Sequence, residues 1–223
     1  MPLVLLLYYA APPRCRHLLL TALSYLFYGW ANPLFVVLMA FSTAVDYACG
    51  RVISANLHQA ATPHSRRRKT ALVVSIVTNL SLLGFFKYFN FGVDSFNALV
   101  TSLGAPAWQW DSFFRISLPL GISFYTFQSM SYTIDFYRGI IAREPSFVRF
   151  AAFVTFFPQL VAGPIERAKN LLPQFAKIPR VTLADVSDGA SLFLVGLFKK
   201  VALANYLGPY VDRVYGDVAT QGG

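Results

Sequence analysis

The stretch from Thr70 to Phe91 constrains the fold most, because Lys87 is its only charged residue. A helix needs about 20 consecutive apolar residues to cross the hydrocarbon core of a bilayer. Lys87 lies near the far end of the stretch, where a lysine can extend its ammonium group to the lipid headgroups. The stretch therefore predicts a transmembrane helix.

The rest of the chain has the same character. Of its 223 residues, 56% are hydrophobic and 13% are charged, whereas globular domains carry about 25% charged residues. Other apolar stretches cover 18–47, 116–137 and 186–201, and the first is interrupted at Asn32–Pro33. Because proline disfavours helical backbone in the preceding residue, we expect two helices of about 14–16 residues to meet there. The sequence predicts an all-α, multi-pass membrane protein rather than a soluble helical domain.

Basic residues are clustered in the blocks Arg66–Lys69, 138–149 and 167–180. Cytoplasmic loops of membrane proteins are enriched in Lys and Arg. We therefore expect the loop 51–69 and the two later blocks on the cytoplasmic side. The loop 92–112 has no Lys or Arg, so we expect it on the opposite side. Because membrane topology accounts for the basic blocks, no nucleic-acid partner is predicted.

The segment 156–175, FFPQLVAGPIERAKNLLPQF, combines an apolar first half with three prolines. Inside a helix, Pro158 would leave the carbonyl of Val154 unpaired, and Pro164 that of Leu160. Unpaired backbone cannot face lipid, so the segment either lines a cavity or lies at the surface as a loop. The basic residues on both flanks indicate a re-entrant segment that enters and leaves on one side.

A polar stripe lies on the predicted helix 116–137. Its side chains recur at helical spacing and share one face with Gly121: Tyr125, Gln128, Tyr132 and Asp135. The other face carries Phe127, Met130 and Ile134. Polar side chains on a membrane helix join helices, line a cavity or act on a substrate, and all three roles stay open. Asp135 has a further alternative, an ion pair with Arg138 one turn away.

Lys199 and Lys200 interrupt the last apolar stretch. They indicate either a short or interfacial helix, or a site that recognises an anionic group such as a phosphate or carboxylate. The histidines lie among basic residues and are expected to be solvated loop residues: His17, His58 and His64. No cysteine or histidine has metal-ligand spacing, and no serine or cysteine is arranged as an activated nucleophile. The sequence therefore predicts no metal site.

The ends of the chain suggest a fragment of a longer protein. The run from Leu3 to Ala11 follows no basic region and is too short to span a bilayer alone. We expect it to be the remainder of a helix rather than a cleaved signal peptide. The other end, 217–223, carries no terminal signature.

Several motifs resemble the membrane-bound O-acyltransferase family, most closely its bacterial alginate O-acetyltransferase branch. The motifs occur in the family's order and cover nearly the whole chain: SYLFYGW at 24–30, GFFKYFNFGVDSFNAL at 84–99, LPLGISFYTFQSMSYTIDFYRG at 118–139, FFPQLVAGPIERA at 156–168 and GLFKKVALAN at 196–205. The resemblance implies that 1–223 is the N-terminal part of one transmembrane domain, an incomplete ring of helices around a tunnel. It also implies the bacterial inner membrane as location.

The resemblance further implies an acyl thioester donor, acyl-CoA or an acyl carrier protein, at the cytoplasmic face. It implies a periplasmic acyltransferase partner and an exported polysaccharide as acceptor. The residues expected to line the tunnel are Tyr125, Gln128, Tyr132, Gln159, Gly163 and Pro164. The family's catalytic histidine lies in an FWRRWHIS-like motif that this sequence lacks. We therefore assign no catalytic residue and expect the chain alone to be inactive.

Three alternatives stay open at this point. Within the family, the full protein could transfer D-alanine to teichoic acids. Broken helices and polar residues at the bilayer midplane are also typical of secondary transporters, of which this chain would be half. A non-catalytic membrane scaffold is the third alternative.

Overall fold

The computed structural model describes residues 2–55, 66–105, 108–110, 115–177 and 181–216. Within these ranges the regular structure is helical and contains no strand. The helices are α1 (Pro2–Ala10), α2 (Arg16–Ala31), α3 (Pro33–Ala55), α4 (Arg66–Ser102), α5 (Ile122–Tyr137), α6 (Phe147–Val154), α7 (Phe157–Ala162), α8 (Ala168–Ala176), α9 (Leu183–Phe198) and α10 (Asn205–Gly216). A π-helical stretch, Lys199–Ala204, joins α9 to α10.

The chain forms two compact units, Met1–Ile178 and Pro179–Gly223. Three continuous helical stretches in the described residues are long and apolar enough to cross a membrane: Pro33–Ala55, Arg66–Ser102 and Leu183–Gly216. The prediction of an all-α, multi-pass membrane protein is confirmed. In the second unit, one stretch runs through Lys199 and Lys200 without ending. The helix there is therefore not short, and an interfacial helix or an anion site at the two lysines stays a prediction.

The predicted break at Asn32–Pro33 is present, since α2 ends at Ala31 and α3 begins at Pro33. The Asn32 side chain accepts a hydrogen bond from the backbone N–H of Leu34 at 3.0 Å, which supports the turn between the helices. The predicted length of α3 is wrong, because this helix has 23 residues and continues to Ala55. Beyond Tyr47 the helix continues because Cys49 and Ile53 pack in a buried cluster with Ala71 and Phe136 of neighbouring helices.

Helix α4 is longer than the predicted span at both ends. The prediction of a loop over 51–69 is wrong at both ends, because 51–55 belong to α3 and 66–69 belong to α4. Residues 56–65 lie outside the described residues. The predicted loop 92–112 is wrong for its first half, because α4 continues to Ser102. Polar side chains in this last part have partners: Asp94 forms an ion pair with Arg115 at 2.8 Å.

Helix α5 begins at Ile122 rather than at the predicted residue 116. Pro119 interrupts the start, and Gly121 has a left-handed backbone with φ of 69° that a continuous helix cannot contain. The extended residues before it are held by Asn90, whose side chain bonds to both the N–H and the carbonyl of Ile116 at 3.0 and 2.9 Å.

The first unit has one end rich in basic residues, which we call the basic end and define by Arg66–Arg68 and 138–149. The Arg68 guanidinium donates to the carbonyl of Tyr137 at 3.2 Å and lies 5.4 Å from the centre of the Tyr137 ring. The structure therefore brings together two of the three blocks expected on one side of the membrane. The Asp94–Arg115 pair lies away from this end, in the last part of α4 and in the residues before α5.

The segment 147–176 enters from the basic end, follows α5 and returns. Three contacts trace the inward path at successive depths. The backbone N–H of Glu144 donates to the Tyr132 hydroxyl at 3.0 Å, and Gln128 donates to the Phe153 carbonyl at 2.6 Å. A Cβ on Gly121 would lie 2.9 Å from the carbonyl oxygen of Leu160. From Tyr132 to Gly121 the depth is about 16 Å at 1.5 Å per residue.

The return is made by the extended link 163–167 and by α8. The carbonyl of Phe175 in α8 contacts the ring Nε2 of His17 at 2.7 Å, at the start of α2. His17 is therefore a half-buried residue of the first turn of α2, and its prediction as a solvated loop residue is wrong. His58 and His64 lie outside the described residues.

Candidate functional site

The polar stripe on α5 is buried as a whole, and two of its side chains hold the re-entrant segment. Gln128 donates to the Phe153 carbonyl, and the Tyr132 hydroxyl accepts from Glu144. The Tyr132 ring also packs against Phe150, with ring centres 4.7 Å apart. Of the three roles left open for the stripe, these contacts support the first, in which polar side chains join helices.

Asp135 does not form the alternative ion pair with Arg138, since the described residues show no such contact. The Asp135 side chain is buried. The face of α5 assigned as apolar is buried in one part and exposed in another, because Met130 is 8% exposed and Phe127 is 44% exposed. Helix α5 is therefore enclosed by protein over more than the polar stripe.

Tyr125 belongs to a second group of polar side chains, where α2, α5 and α7 meet. Its ring packs edge-on against Tyr28 with centres 6.4 Å apart, and Phe27 of α2 packs on Phe157 of α7. Within the described part of the chain, four buried polar atoms here have no hydrogen-bond partner: Ser24 Oγ, Tyr28 OH, Tyr125 OH and Gln159 Nε2. We call these four residues the hydroxyl cluster.

Unpartnered buried polar atoms are costly, at about 1–3 kcal/mol each. Ser24 and Tyr28 are four residues apart and therefore share one face of α2. Gln159 lies beside Leu160, whose carbonyl approaches the start of α5. The helices that carry these four groups meet at this junction, where a further hydrogen-bonding partner would be stabilised.

Two glycines allow the backbones to meet at this junction. A Cβ on Gly121 would lie 2.8 Å from the Tyr28 hydroxyl and 2.9 Å from the Leu160 carbonyl oxygen. A Cβ on Gly163 would lie 2.8 Å from the Cα of Gln159. Any larger residue at either position would displace α7 or the residues it contacts.

Two of the three prolines of the broken segment lie where helices begin or have ended, whereas Pro173 lies inside α8. Pro158 occupies the first turn of α7, where the backbone N–H has no helical partner in any case. Pro164 follows α7 in the extended link and is exposed. The break is therefore present, and neither Pro158 nor Pro164 removes a hydrogen bond from the interior of a helix.

A third polar group, which was not predicted from the sequence, lies between α3, α4 and α5. Asp46 is fully buried and accepts from Ser75 Oγ at 2.5 Å and from Asn79 Nδ2 at 2.8 and 2.9 Å. Ser129 of α5 also donates to Asp46, and Ser42 donates to Asn79 at 2.8 Å. A lone carboxylate within an apolar stretch was the signal that could have revealed this network.

The hydroxyl cluster was predicted in part. Tyr125 and Gln159 were expected to line a tunnel, and the structure brings their helices together. Ser24 and Tyr28 were missed, although their spacing within SYLFYGW places both on one helical face. Lys199 and Lys200 lie in the second unit, at the start of the π-helical stretch, and both are exposed.

Fold and site together define a class: a multi-pass helical membrane protein whose re-entrant segment closes over buried polar side chains. The chain is 42% identical to the probable alginate O-acetylase AlgI of Azotobacter vinelandii, over 96% of this chain and 41% of the relative. It is 40% identical to the probable alginate O-acetylase AlgI of Pseudomonas aeruginosa, over 96% and 40% of the two chains. The peptidoglycan O-acetyltransferase of Helicobacter pylori is 30% identical, over 92% of this chain and 41% of the relative.

The chain is therefore a homologue of bacterial O-acetyltransferases, and its resemblance to the alginate branch of the membrane-bound O-acyltransferase family is confirmed. It spans about two fifths of the length of these curated relatives. No family model and no solved structure matches the chain.

Proposed function

We propose that this chain forms part of a membrane O-acetyltransferase that moves an acetyl group from a cytoplasmic thioester donor towards a hydroxyl of an exported polysaccharide. The relatives are named for acetylation of alginate or peptidoglycan. The higher identity to the alginate enzymes favours an alginate-like acceptor over peptidoglycan. The proposal includes location in the bacterial inner membrane and a periplasmic acyltransferase as partner.

The hydroxyl cluster is the observation that supports a path for the substrate. Its four polar atoms are buried and lack protein partners within the described residues. A thioester donor presents a carbonyl oxygen and amide groups, which match hydroxyl and amide hydrogen-bonding groups. The cluster lies beside the turn of the re-entrant segment, where broken backbone at membrane depth requires a surrounding of protein.

In the proposed transfer, the acceptor oxygen bonds to the acyl carbon as the C–S bond breaks. The proton of the acceptor hydroxyl passes through a general base to the leaving thiolate. The resemblance implies a histidine for that base, in a motif that this sequence does not contain. We therefore propose that these residues bind and orient the acyl group, and that the chain by itself does not transfer it.

The test uses the full-length protein with Tyr125→Phe and Tyr28→Phe. A neutral hydrogen bond contributes about 0.5–1.5 kcal/mol, so each change should lower acetyl transfer about three- to tenfold. The measurement is the initial rate of transfer in membranes supplied with acetyl donor, together with the O-acetyl content of the polysaccharide. The melting temperature should not fall, because each change removes a buried hydroxyl that has no protein partner.

Tyr88→Phe is the matched control, since this tyrosine is exposed on α4. It should leave the rate unchanged. Unchanged rates for both Tyr28→Phe and Tyr125→Phe would contradict the proposed path. A rate loss accompanied by an equal loss of folded protein would also contradict it, because the hydroxyls would then serve stability alone.

A further inference from the structure

A separate pocket lies at the basic end, between the connection that follows α5 and helix α8. Its volume is about 360 Å³. The apolar residues of its lining, which we call the apolar wall, include Ile141, Leu172 and Pro173, and its charged lining residues are Arg143, Glu144 and Lys169. The hydroxyl cluster does not line this pocket, so the pocket is a different site from the proposed acyl path.

Two of the charged lining residues are positive and have no anionic partner among the described residues. Glu144 is buried, lies 3.5 Å from Arg149 and accepts from the backbone N–H of Ser146 at 2.9 Å. Its negative charge is therefore already compensated. Arg143 and Lys169 form no ion pair with any described residue. The pocket thus combines an apolar wall with uncompensated cations.

We propose that this pocket binds the headgroup phosphate of an anionic phospholipid. Arg143 and Lys169 hold the phosphate from opposite sides of the pocket, with charge-assisted hydrogen bonds. The apolar wall then contacts the glycerol and the first methylene groups of the lipid. Basic pockets at the cytoplasmic face of membrane proteins select anionic lipids in this way.

The location favours a lipid over a soluble phosphate. The pocket lies at the end of the first unit that carries the basic blocks, which is the end expected at the cytoplasmic membrane surface. It also joins two parts of the chain, the connection 140–144 and the returning helix α8. A bound lipid therefore stabilises the return of the re-entrant segment by mass action.

The experiment measures lipid binding to the full-length protein by native mass spectrometry and thermal unfolding. Phosphatidylglycerol and phosphatidylcholine with identical acyl chains are compared. Phosphatidylglycerol should bind and raise the melting temperature, and phosphatidylcholine should do neither. Arg143→Gln and Lys169→Gln should each weaken phosphatidylglycerol binding about tenfold, because each removes one charge-assisted contact.

Arg167→Gln is the control, because it removes the same charge from the link just before α8 but does not line the pocket. This variant should retain phosphatidylglycerol binding. An equal loss of binding in Arg167→Gln would show that general surface charge is responsible and would overturn the proposal. Coenzyme A provides the second arm, since a thioester donor also carries phosphates. Displacement of bound phosphatidylglycerol by coenzyme A from the unaltered protein, with loss of that displacement in Arg143→Gln, would assign the pocket to the donor and overturn the lipid proposal.

Discussion

Replacing Asp46 with leucine tests whether the buried network between α3, α4 and α5 holds the first unit together. Leucine has a similar size but accepts no hydrogen bond, so the donors on Ser75, Asn79 and Ser129 lose their acceptor. Asp46 makes four such contacts. Interhelical hydrogen bonds in membranes contribute about 0.6 kcal/mol each, so we expect a loss of about 2 kcal/mol in the free energy of unfolding.

The assay is equilibrium unfolding of the full-length protein in mixed detergent micelles, followed by tryptophan fluorescence. Phe41→Leu is the control on the same helix, because Phe41 is 52% exposed and no described polar contact involves it. It should change the free energy of unfolding by less than about 0.5 kcal/mol. Asp46→Asn retains one acceptor oxygen and should lie between the control and Asp46→Leu.

A double-mutant cycle gives the decisive result. Asn79→Leu removes the partner that makes two of the contacts to Asp46. If the network is one unit, the double variant should be less destabilised than the sum of the two single variants. Additive losses, or an Asp46→Leu variant as stable as the unaltered protein, would refute the reasoning.

Two further predictions concern the junction of α2, α5 and α7 and the activity of the chain. Gly121→Ala should destabilise the full-length protein by more than 1 kcal/mol in the same unfolding assay, because φ of 69° and the contact with the Leu160 carbonyl both exclude a Cβ; Gly84→Ala, in an open position on α4, should not. The purified 223-residue chain should transfer no acetyl group from labelled acetyl-CoA, and detectable turnover would contradict the assignment of the general base to a motif outside this sequence.

The sequence predicted the breaks in the backbone better than the ends of the long helices, because a proline acts on its immediate neighbours. Pro33 acts on its own neighbours, so its effect was read directly from the chain, whereas the equally local effect of Pro119 was missed and the helix was predicted from residue 116. The end of α4 at Ser102 could not be read in the same way. Hydropathy reports exposure to lipid, whereas the helix continues because Asp94 and Asn97 find partners more than ten residues away.

The same limit applies to the candidate site. The stripe on α5 was visible because its spacing lies within one helix. The acceptor of Ser129 is 83 residues away in the sequence, and periodicity carries no information about such a contact. Ser24 and Tyr28 were visible as a pair on α2, but only the approach of α5 and α7 shows that their oxygens lack partners.

One physical requirement of the re-entrant segment explains both its prolines and the hydroxyl cluster. A chain that turns back at membrane depth must break its helix, and the freed backbone groups must then bond to protein. Gln128 meets this requirement at Phe153, because its side chain donates to the Phe153 carbonyl at 2.6 Å. The polar side chains that surround this backbone lie between α2 and α5. Because four polar atoms beside this turn lack partners within the described residues, we propose that the turn is also the place where a polar substrate group is held.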